Sequence, residues 1–524
     1  MDQEDNTGLY LLKKGKKGLV NILFSGLGLI LILFLVNIAL TLLLLKHFSE
    51  AVPQFTGIMV VFVVVMIIYL FNCGFESEVK LTWLVVIMIF PVFGALFLLY
   101  TRLDIGHGAI KLRLQQLIGE TKESILQDSK ALERLEKENP ESATLVHYLN
   151  RTGCYPVYEN TEVTYFPLGE NKFEELLKQL EEAKHFIFLE YFIVAEGVMW
   201  GKILEILARK AKEGVEIRML YDGSCEFTTL PHSYPKKLRE LGIQCRMFAP
   251  LTPIVSTYYN YRDHRKILVI DGHTAFTGGV NLADEYINVK EKHGHWKDTA
   301  IMLKGEAVKS FTLMFLQMWN IEEKIVEFDK YLNYPVEPVM NAKGYVLPYG
   351  DCPLDNDKVG ERIYMDILNQ STKYVHIMSP YLILDEEMES ALKFAAERGI
   401  DVTIILPGVP DKWIPYTLAK THYKALLNSG VKIYEYTPGF VHAKVFVSDN
   451  CKAVVGTINL DYRSFYHHFE CASYLYDTAC IPDIENDFQE TLKQCREVTL
   501  ETVRKEKWWI KVLGSLAKAI APLM

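Results

Sequence analysis

The stretch NYRDHRKILVIDGHTAFTGGVNLADE, residues 260–285, decides how this chain is read, because its pattern returns once as GFVHAKVFVSDNCKAVVGTINLD, residues 439–461, with the histidine 178 residues further on. Each copy sets a His and a Lys two apart (His264 and Lys266; His442 and Lys444). An apolar, β-branched run, an Asp (Asp271; Asp449) and Gly-x-x-Asn (Gly278 and Asn281; Gly456 and Asn459) follow. A spacing of two on a strand points both side chains to one face, whereas the Asp, seven positions after the His, falls off that face at the strand's end. Asp271-Gly272 and Asp449-Asn450 predict tight hairpin turns. The return strands, 274–277 and 453–455, then bring Gly-x-x-Asn back beside the His and Lys. His, Lys and Asn form the chemical trio. Asp271 and Asp449 stand with the candidate catalytic residues as members of the repeated motif, but their position reads as structural.

Composition narrows the classes. A net charge of −9 over 524 residues argues against a nucleic-acid binder, which would carry a basic balance. Nine cysteines without a C-x-x-C indicate neither a zinc site nor a disulfide framework. The apolar excess lies at one end, in hydrophobic runs 19–45, 55–71 and 81–100, each long enough or nearly so for ~30 Å of hydrocarbon. Residues 1–110 therefore read as a transmembrane helical anchor. Basic residues flank both ends of it, and three full crossings cannot hold both on one side of a membrane. Two crossings are expected, with one run re-entrant or interfacial.

Residues 111–155 read as a solvated helical connector that breaks at Pro140. From there helices and strands alternate twice in the same order, over 156–335 and 340–500. Matching helix ends, AKEGVEIRMLYDG and AERGIDVTIILPG, support an internal repeat. Alternation of this kind predicts an α/β fold, two tandem halves with sheets flanked by helices, each carrying one motif, paired as a pseudo-dimer around one site. Residues 501–524 form an amphipathic segment with Trp508, Trp509, Val512, Leu516, Ala519 and Ile520 largely on one helical side. Such a segment suits a membrane interface or the flank of the catalytic part equally.

The doubled H-x-K-x-x-x-x-D with G-[GT]-x-N resembles the phospholipase D superfamily, and the words YRDHRKILVIDG and YEYTPGFVHAK resemble bacterial cardiolipin synthases. The chemistry of the residues agrees. A phosphodiester attacked without a metal needs fixed cations, a nucleophile and an acid. Lys266 and Lys444 supply point charges for the non-bridging oxygens. The Asn281 and Asn459 amides and backbone N–H groups near Gly279 and Thr457 are candidate phosphate donors. One His attacks phosphorus and the other protonates the leaving oxygen. Each needs a carboxylate on its far nitrogen, for which Asp298 and Glu470 are the candidates. The resemblance makes His264 the nucleophile and His442 the acid; the residues alone do not order them. Where many members carry Ser, this chain has Gly279 and Thr457, and His468 stands where Asn is expected.

The resemblance also implies a metal-free and cofactor-free phosphatidyltransferase of the bacterial cell membrane, multi-pass, with its catalytic part cytoplasmic. It would condense two phosphatidylglycerol molecules into cardiolipin and glycerol, acting on membrane lipids and not on nucleic acid. Aromatic loops before each motif, 248–261 and 409–423, suit acyl chains and head groups. A phospholipase, a transferase using another alcohol, or a non-catalytic lipid-binding membrane protein are the alternatives.

Overall fold

In the computed structural model both predicted turns form with two residues of positive φ: Asp271 (52°) and Gly272 (66°), and Asp449 (54°) and Asn450 (58°). His273 N–H donates to Ile270 O and Cys451 N–H to Ser448 O, each at 3.1 Å, closing two-residue loops whose twist matches the flanking strands. The structure describes residues 9, 11, 52–102, 108–153, 155–249, 261–336, 339, 341–355 and 357–523. They fall into two compact units, one comprising the described residues among 1–12, 110–249 and 261–517, the other those among 52–109 and 518–523.

In the larger unit, β1 (Thr161–Phe166), β2 (Phe186–Tyr191), β3 (Glu216–Asp222), β4 (Gln244–Phe248), β5 (Lys266–Ile270), β6 (Thr274–Gly278) and β7 (Ala300–Gly305) make a mixed sheet. Its order is β1-β7-β6-β5-β2-β3-β4. The second sheet is built from β8 (Tyr345–Asp351), β9 (Tyr374–Met378), β10 (Asp401–Pro407), β11 (Lys432–Tyr436), β12 (Val445–Ser448), β13 (Lys452–Gly456), β14 (His468–Tyr476) and β15 (Cys495–Val498). The order β8-β14-β13-β12-β9-β10-β11-β15 repeats the first with one strand added. The tandem halves read from the sequence are thus two copies of one topology. Strands β2, β5 and β6 are buried along their whole length, which is why the apolar residues 186–189 and 267–270 run together instead of alternating with polar ones.

The glycine that opens each Gly-x-x-Asn serves sheet packing. A Cβ on Gly278, at φ 141°, would stand 2.4 Å from Thr299 O, and one on Gly456 would stand 2.3 Å from the Ala472 Cβ. Only glycine lets β6 and β13 lie that close to their neighbours.

One expectation changes. The connector is not merely solvated: Leu117, Leu135, Val146 and Leu149 are completely buried, and Ser142 Oγ lies 3.0 Å from Tyr474 OH of β14. The break at Pro140 forms as read: the helix Ser129–Glu138 ends on Asn139, and a second, Pro140–Gly153, starts with the proline at its first position, where a missing N–H costs nothing.

The smaller unit's run 81–100 is not one continuous helix. It divides into Ser77–Ile89 and Pro91–Arg102 about Phe90, which at φ −132° and ψ 75° has left the helical region that a following proline ring disfavours. Leu70, Trp83, Ile87 and Leu98 form a small core there. Val60, Val61, Ile68 and Phe71 of the preceding helix, Val52–Asn72, are exposed. Among the described residues no helix is long and apolar enough to cross a membrane, and run 19–45 lies outside them.

The C-terminal helix, Trp508–Ile520, divides its faces. Ile510, Gly514 and Ala517 are buried, and a Cβ on Gly514 would stand 2.6 Å from Thr417 O of the helix Trp413–Asn428. Trp508, Val512 and Leu516 remain exposed.

Candidate active site

The histidines do not lie within the long strands but just before them. His264 follows the short strand Arg262–Asp263, and His442 follows Gly439–Val441. Each short strand pairs in parallel with the opposite half: Arg262–Asp263 with the start of β14, and Gly439–Val441 with His295–Lys297. His264 N–H donates to Phe469 O at 2.9 Å, and His442 N–H donates to Lys297 O at 2.7 Å. The next residue on each opposing chain is the carboxylate, Glu470 or Asp298.

The pairing is therefore crossed. Both Glu470 oxygens lie 2.9 Å from His264 Nδ1, and Asp298 Oδ2 lies 2.7 Å from His442 Nδ1. Proximity along the chain favours His264 with Asp298 and His442 with Glu470; the parallel bridges between halves exchange them. A carboxylate only accepts, so the ring proton sits on Nδ1 of both imidazoles and the Nε2 lone pair is left for chemistry. Both carboxylates are fully buried.

Burial, then the charges of Lys266 and Lys444, hold His264 well below the usual imidazole range. His442 is pulled down to about 4 by burial and by Lys444, with Asp298 opposing. Burial also lowers Lys266 to about 8 against the pull of Glu470, and Lys444 to about 7 against that of Asp298. His264 senses His442 and Lys444, and Lys444 senses Lys266, so the two halves contribute to one electrostatic site. Each lysine donates Nζ to the carbonyl of its own motif histidine, His264 or His442.

Asp271 and Asp449 do not act on the imidazoles. Asp271 accepts from the N–H groups of Lys184 (2.7 Å), His185 and Phe186 (2.8 Å each), and Asp449 from those of Thr372 (2.7 Å), Lys373 and Tyr374 (2.9 Å each). Each carboxylate pins the start of a central strand, β2 or β9, to a hairpin turn. Their place among the catalytic residues is corrected accordingly.

The backbone donors expected at Gly279 and Thr457 are also committed elsewhere, because the β6 and β13 ladders run one residue further. Gly279 N–H donates to Thr299 O at 3.0 Å and Thr457 N–H to Cys471 O at 2.9 Å. Both residues serve the carboxylates instead. The Thr457 hydroxyl donates to Glu470. A Cβ on Gly279 would stand 1.9 Å from Asp298 Oδ1 and 2.8 Å from His442 O, so glycine leaves the room that Asp298 occupies. Asn281 accepts from Ile193 N–H at 3.0 Å and donates to Tyr286 OH at 2.9 Å, which keeps one amide hydrogen uncommitted. The Asn459 Oδ1 is buried without a hydrogen-bond partner.

Sequence reading missed several neighbours. Phe192 packs edge-on to His264 at 4.9 Å, and Tyr286 and Trp296 flank His442 at 5.4 and 5.5 Å. Lys172 is buried with Nζ 3.3 Å from both Tyr191 OH and Val280 O, and burial lowers it to about 7. Its signal was available: a lysine four residues before Leu176, on the apolar face of the helix Gly169–Glu182. His468 lies 5.2 Å from the His264 ring, and His264, His468 and Glu470 are a group of three metal-capable side chains within 4.8 Å of one another. Loop residues 250–260 lie outside the described residues, while Tyr416 and Tyr423 line a groove with Tyr381 and Phe440.

The family model for the cardiolipin synthase PLD-like domain matches residues 176–319 and 364–492. An uncharacterized protein of Streptococcus mutans is 57% identical over 87% of this chain and 99% of its own length. The cardiolipin synthase of Halalkalibacterium halodurans is 34% identical over 94% of this chain and 99% of its own. Among solved structures, phosphatidylserine synthase of Haemophilus influenzae aligns with a TM-score of 0.56 at 14% identity, covering 74% of this chain and all of that one, a likeness of fold. With a doubled motif, a repeated topology and relatives matched over nearly their whole length, the chain belongs to the cardiolipin synthase family of phospholipase D-like enzymes.

Proposed function

We propose that the protein transfers a phosphatidyl group from one phosphatidylglycerol to the terminal hydroxyl of another, forming cardiolipin and releasing glycerol through a phosphohistidine at His264. The observation that carries this reading is the pair of crossed carboxylate–imidazole contacts inside one buried site with two lysines. Nε2 of His264 attacks phosphorus, the bond to the glycerol oxygen breaks, and the His442 imidazolium gives that oxygen its proton. The incoming hydroxyl then returns a proton to His442 as its oxygen attacks phosphorus and the N–P bond breaks. Lys266 and Lys444, with the Asn281 and Asn459 amides, balance the charge on the non-bridging oxygens.

The electrostatics support this order of roles. Burial and both lysines hold His264 neutral, as a nucleophile must be, whereas Asp298 opposes the fall at His442. The anionic phosphodiester adds a second negative charge to that of Asp298, and together they draw a proton onto His442. His264 and His442 are only 6% and 8% exposed, which favours a lipid alcohol over bulk water as acceptor.

Membrane attachment in this reading runs through residues 19–45, the exposed apolar side of the helix Val52–Asn72 and the outer face of the C-terminal helix, with the catalytic halves in the cytoplasm. The test is incubation with radiolabelled phosphatidylglycerol in detergent without added metal, followed by lipid and glycerol analysis. Equimolar cardiolipin and glycerol are expected. Phosphatidic acid as the main product would make the protein a phospholipase, and no turnover by folded enzyme would leave only lipid binding.

A further inference from the structure

We propose that His264, His468 and Glu470 form a latent site for a borderline divalent transition-metal ion, Zn2+ being the type, and that occupancy switches the enzyme off. The inhibition rests on the reading of His264 as a catalytic imidazole. The binding itself does not.

The donor set is assembled by strand geometry. His468 and Glu470 stand two apart at the start of β14 and project to the same side, toward His264. His468 Nδ1 is 3.5 Å from Glu470 Oε1, and His264 Nδ1 is 2.9 Å from the same oxygen. Zinc bonds of about 2.0–2.2 Å in tetrahedral array need donors roughly 3.3 Å apart, and since all three donors already lie within 4.8 Å of one another, ring rotations with a modest approach of the two imidazoles suffice. Two imidazoles and one carboxylate are a recurrent zinc set, with the fourth position left to water.

His468 is the residue that asks for a ligand. It is 7% exposed, neither ring nitrogen makes a full hydrogen bond, the nearest approach being Nδ1 at 3.5 Å from Glu470 Oε1, and the proposed reaction gives it no task. A buried polar group in that state is costly, and few persist without a reason. The other half provides a control. Two residues before Asp298, in the matching parallel bridge, stands Trp296, whose ring lies 5.5 Å from His442. An aromatic ring therefore fills that position adequately, and what His468 adds beyond a ring is nitrogen. Among the described residues the His442 side has no equivalent set.

The consequence for catalysis follows from tautomers. A metal ion accepts the Nδ1 lone pair of His264, displacing the proton now shared with Glu470, and that proton moves to Nε2. The ring stays neutral and no net proton is lost. The lone pair that attacks phosphorus is gone. The ammonium groups of Lys266 and Lys444 oppose a dication nearby, which makes the site reversible rather than permanently filled.

The test uses the full chain in detergent, stripped of metal, with Zn2+ for inhibition and Co2+ as the spectroscopic probe. We expect reversible inhibition that EDTA relieves, and one Co2+ per chain giving the absorption of a four-coordinate ion. His468→Asn and His468→Phe, each compared with its own metal-free rate, are expected to raise the half-inhibitory Zn2+ concentration at least tenfold and to lose the Co2+ signal. Near-UV circular dichroism establishes that both variants are folded. Equal inhibition of wild type and variants, no Co2+ bound by wild type, or activation by Zn2+ each overturns the proposal. Co2+ binding that depends on His468 in a protein that does not turn over phosphatidylglycerol would sustain the metal site while removing the reading of function.

Discussion

Glu470→Gln and Asp298→Asn are expected to disable different chemical steps, each in the half that does not contain the substitution. Glu470 holds His264 with both oxygens at 2.9 Å, and Asp298 holds His442 with one at 2.7 Å. A hydrogen bond to a charged group contributes about 1.5–3 kcal/mol, so its loss slows the dependent step by about 10- to 150-fold. An amide can also donate to Nδ1 and stabilise the wrong tautomer, and in a serine protease triad that error costs about 10⁴-fold. The assay compares phosphatidylglycerol with a phosphodiester bearing a p-nitrophenolate leaving group, which needs no acid. In single turnover with the activated diester, Glu470→Gln loses the phosphoryl-enzyme burst, because His264 cannot attack. Asp298→Asn keeps the burst within about threefold of wild type, and its first step is slow only with the natural lipid, where His442 must protonate the departing alkoxide. A lost burst in Asp298→Asn with a preserved one in Glu470→Gln would refute the assignment of roles.

The remaining predictions probe position and charge. Asp271→Ala, which removes the acceptor for three N–H groups, is expected to destabilise the fold by about 1–3 kcal/mol with kcat per folded molecule nearly unchanged; a preserved Tm with lost kcat would count against its structural role. Gly279→Ala places a Cβ 1.9 Å from Asp298 Oδ1, so activity is expected to fall at least tenfold while the melting transition stays cooperative. Wild-type activity in that variant would show that Asp298 need not stay where it is. Because His442 is lowered to about 4 it is neutral at pH 7, and an anionic ligand raises its proton affinity. Binding of a phosphodiester to a His264→Ala variant at pH 7 should therefore take up protons, seen by calorimetry in buffers of different ionisation enthalpy; zero uptake would deny His442 its role as acid.

Much of this site is legible in the sequence because its parts are local. The His-x-Lys spacing, the Asp-Gly turn and the returning Gly-x-x-Asn are set by strand and hairpin geometry over about twenty residues, and they come together as that geometry requires. The crossed pairing is not legible, since it depends on two parallel bridges between segments 144 and 206 residues apart. Nothing near His264 announces Glu470. The Gly279 and Thr457 N–H groups were misjudged for a related reason. Whether a ladder runs one residue past the visible strand pattern is decided by the neighbouring strand, not by the residue itself. Lys172 and the break at Pro91, in contrast, carried ordinary signals, a charge on an apolar helical face and a proline within an apolar run.

The exchange of carboxylates between halves bears on how such a duplicated chain can change over time. Since each repeat houses the partner on which the other's imidazole depends, the two copies are not a working gene and a spare. A substitution that erodes one copy disables machinery encoded in the other, so there is no half-active intermediate in which one repeat is free to take up a new task. Divergence is confined to what the exchange does not touch, such as the ring beside each imidazole, Trp296 in one half and His468 in the other. A descendant carrying a single repeat would have to restore the exchange by associating with an identical copy.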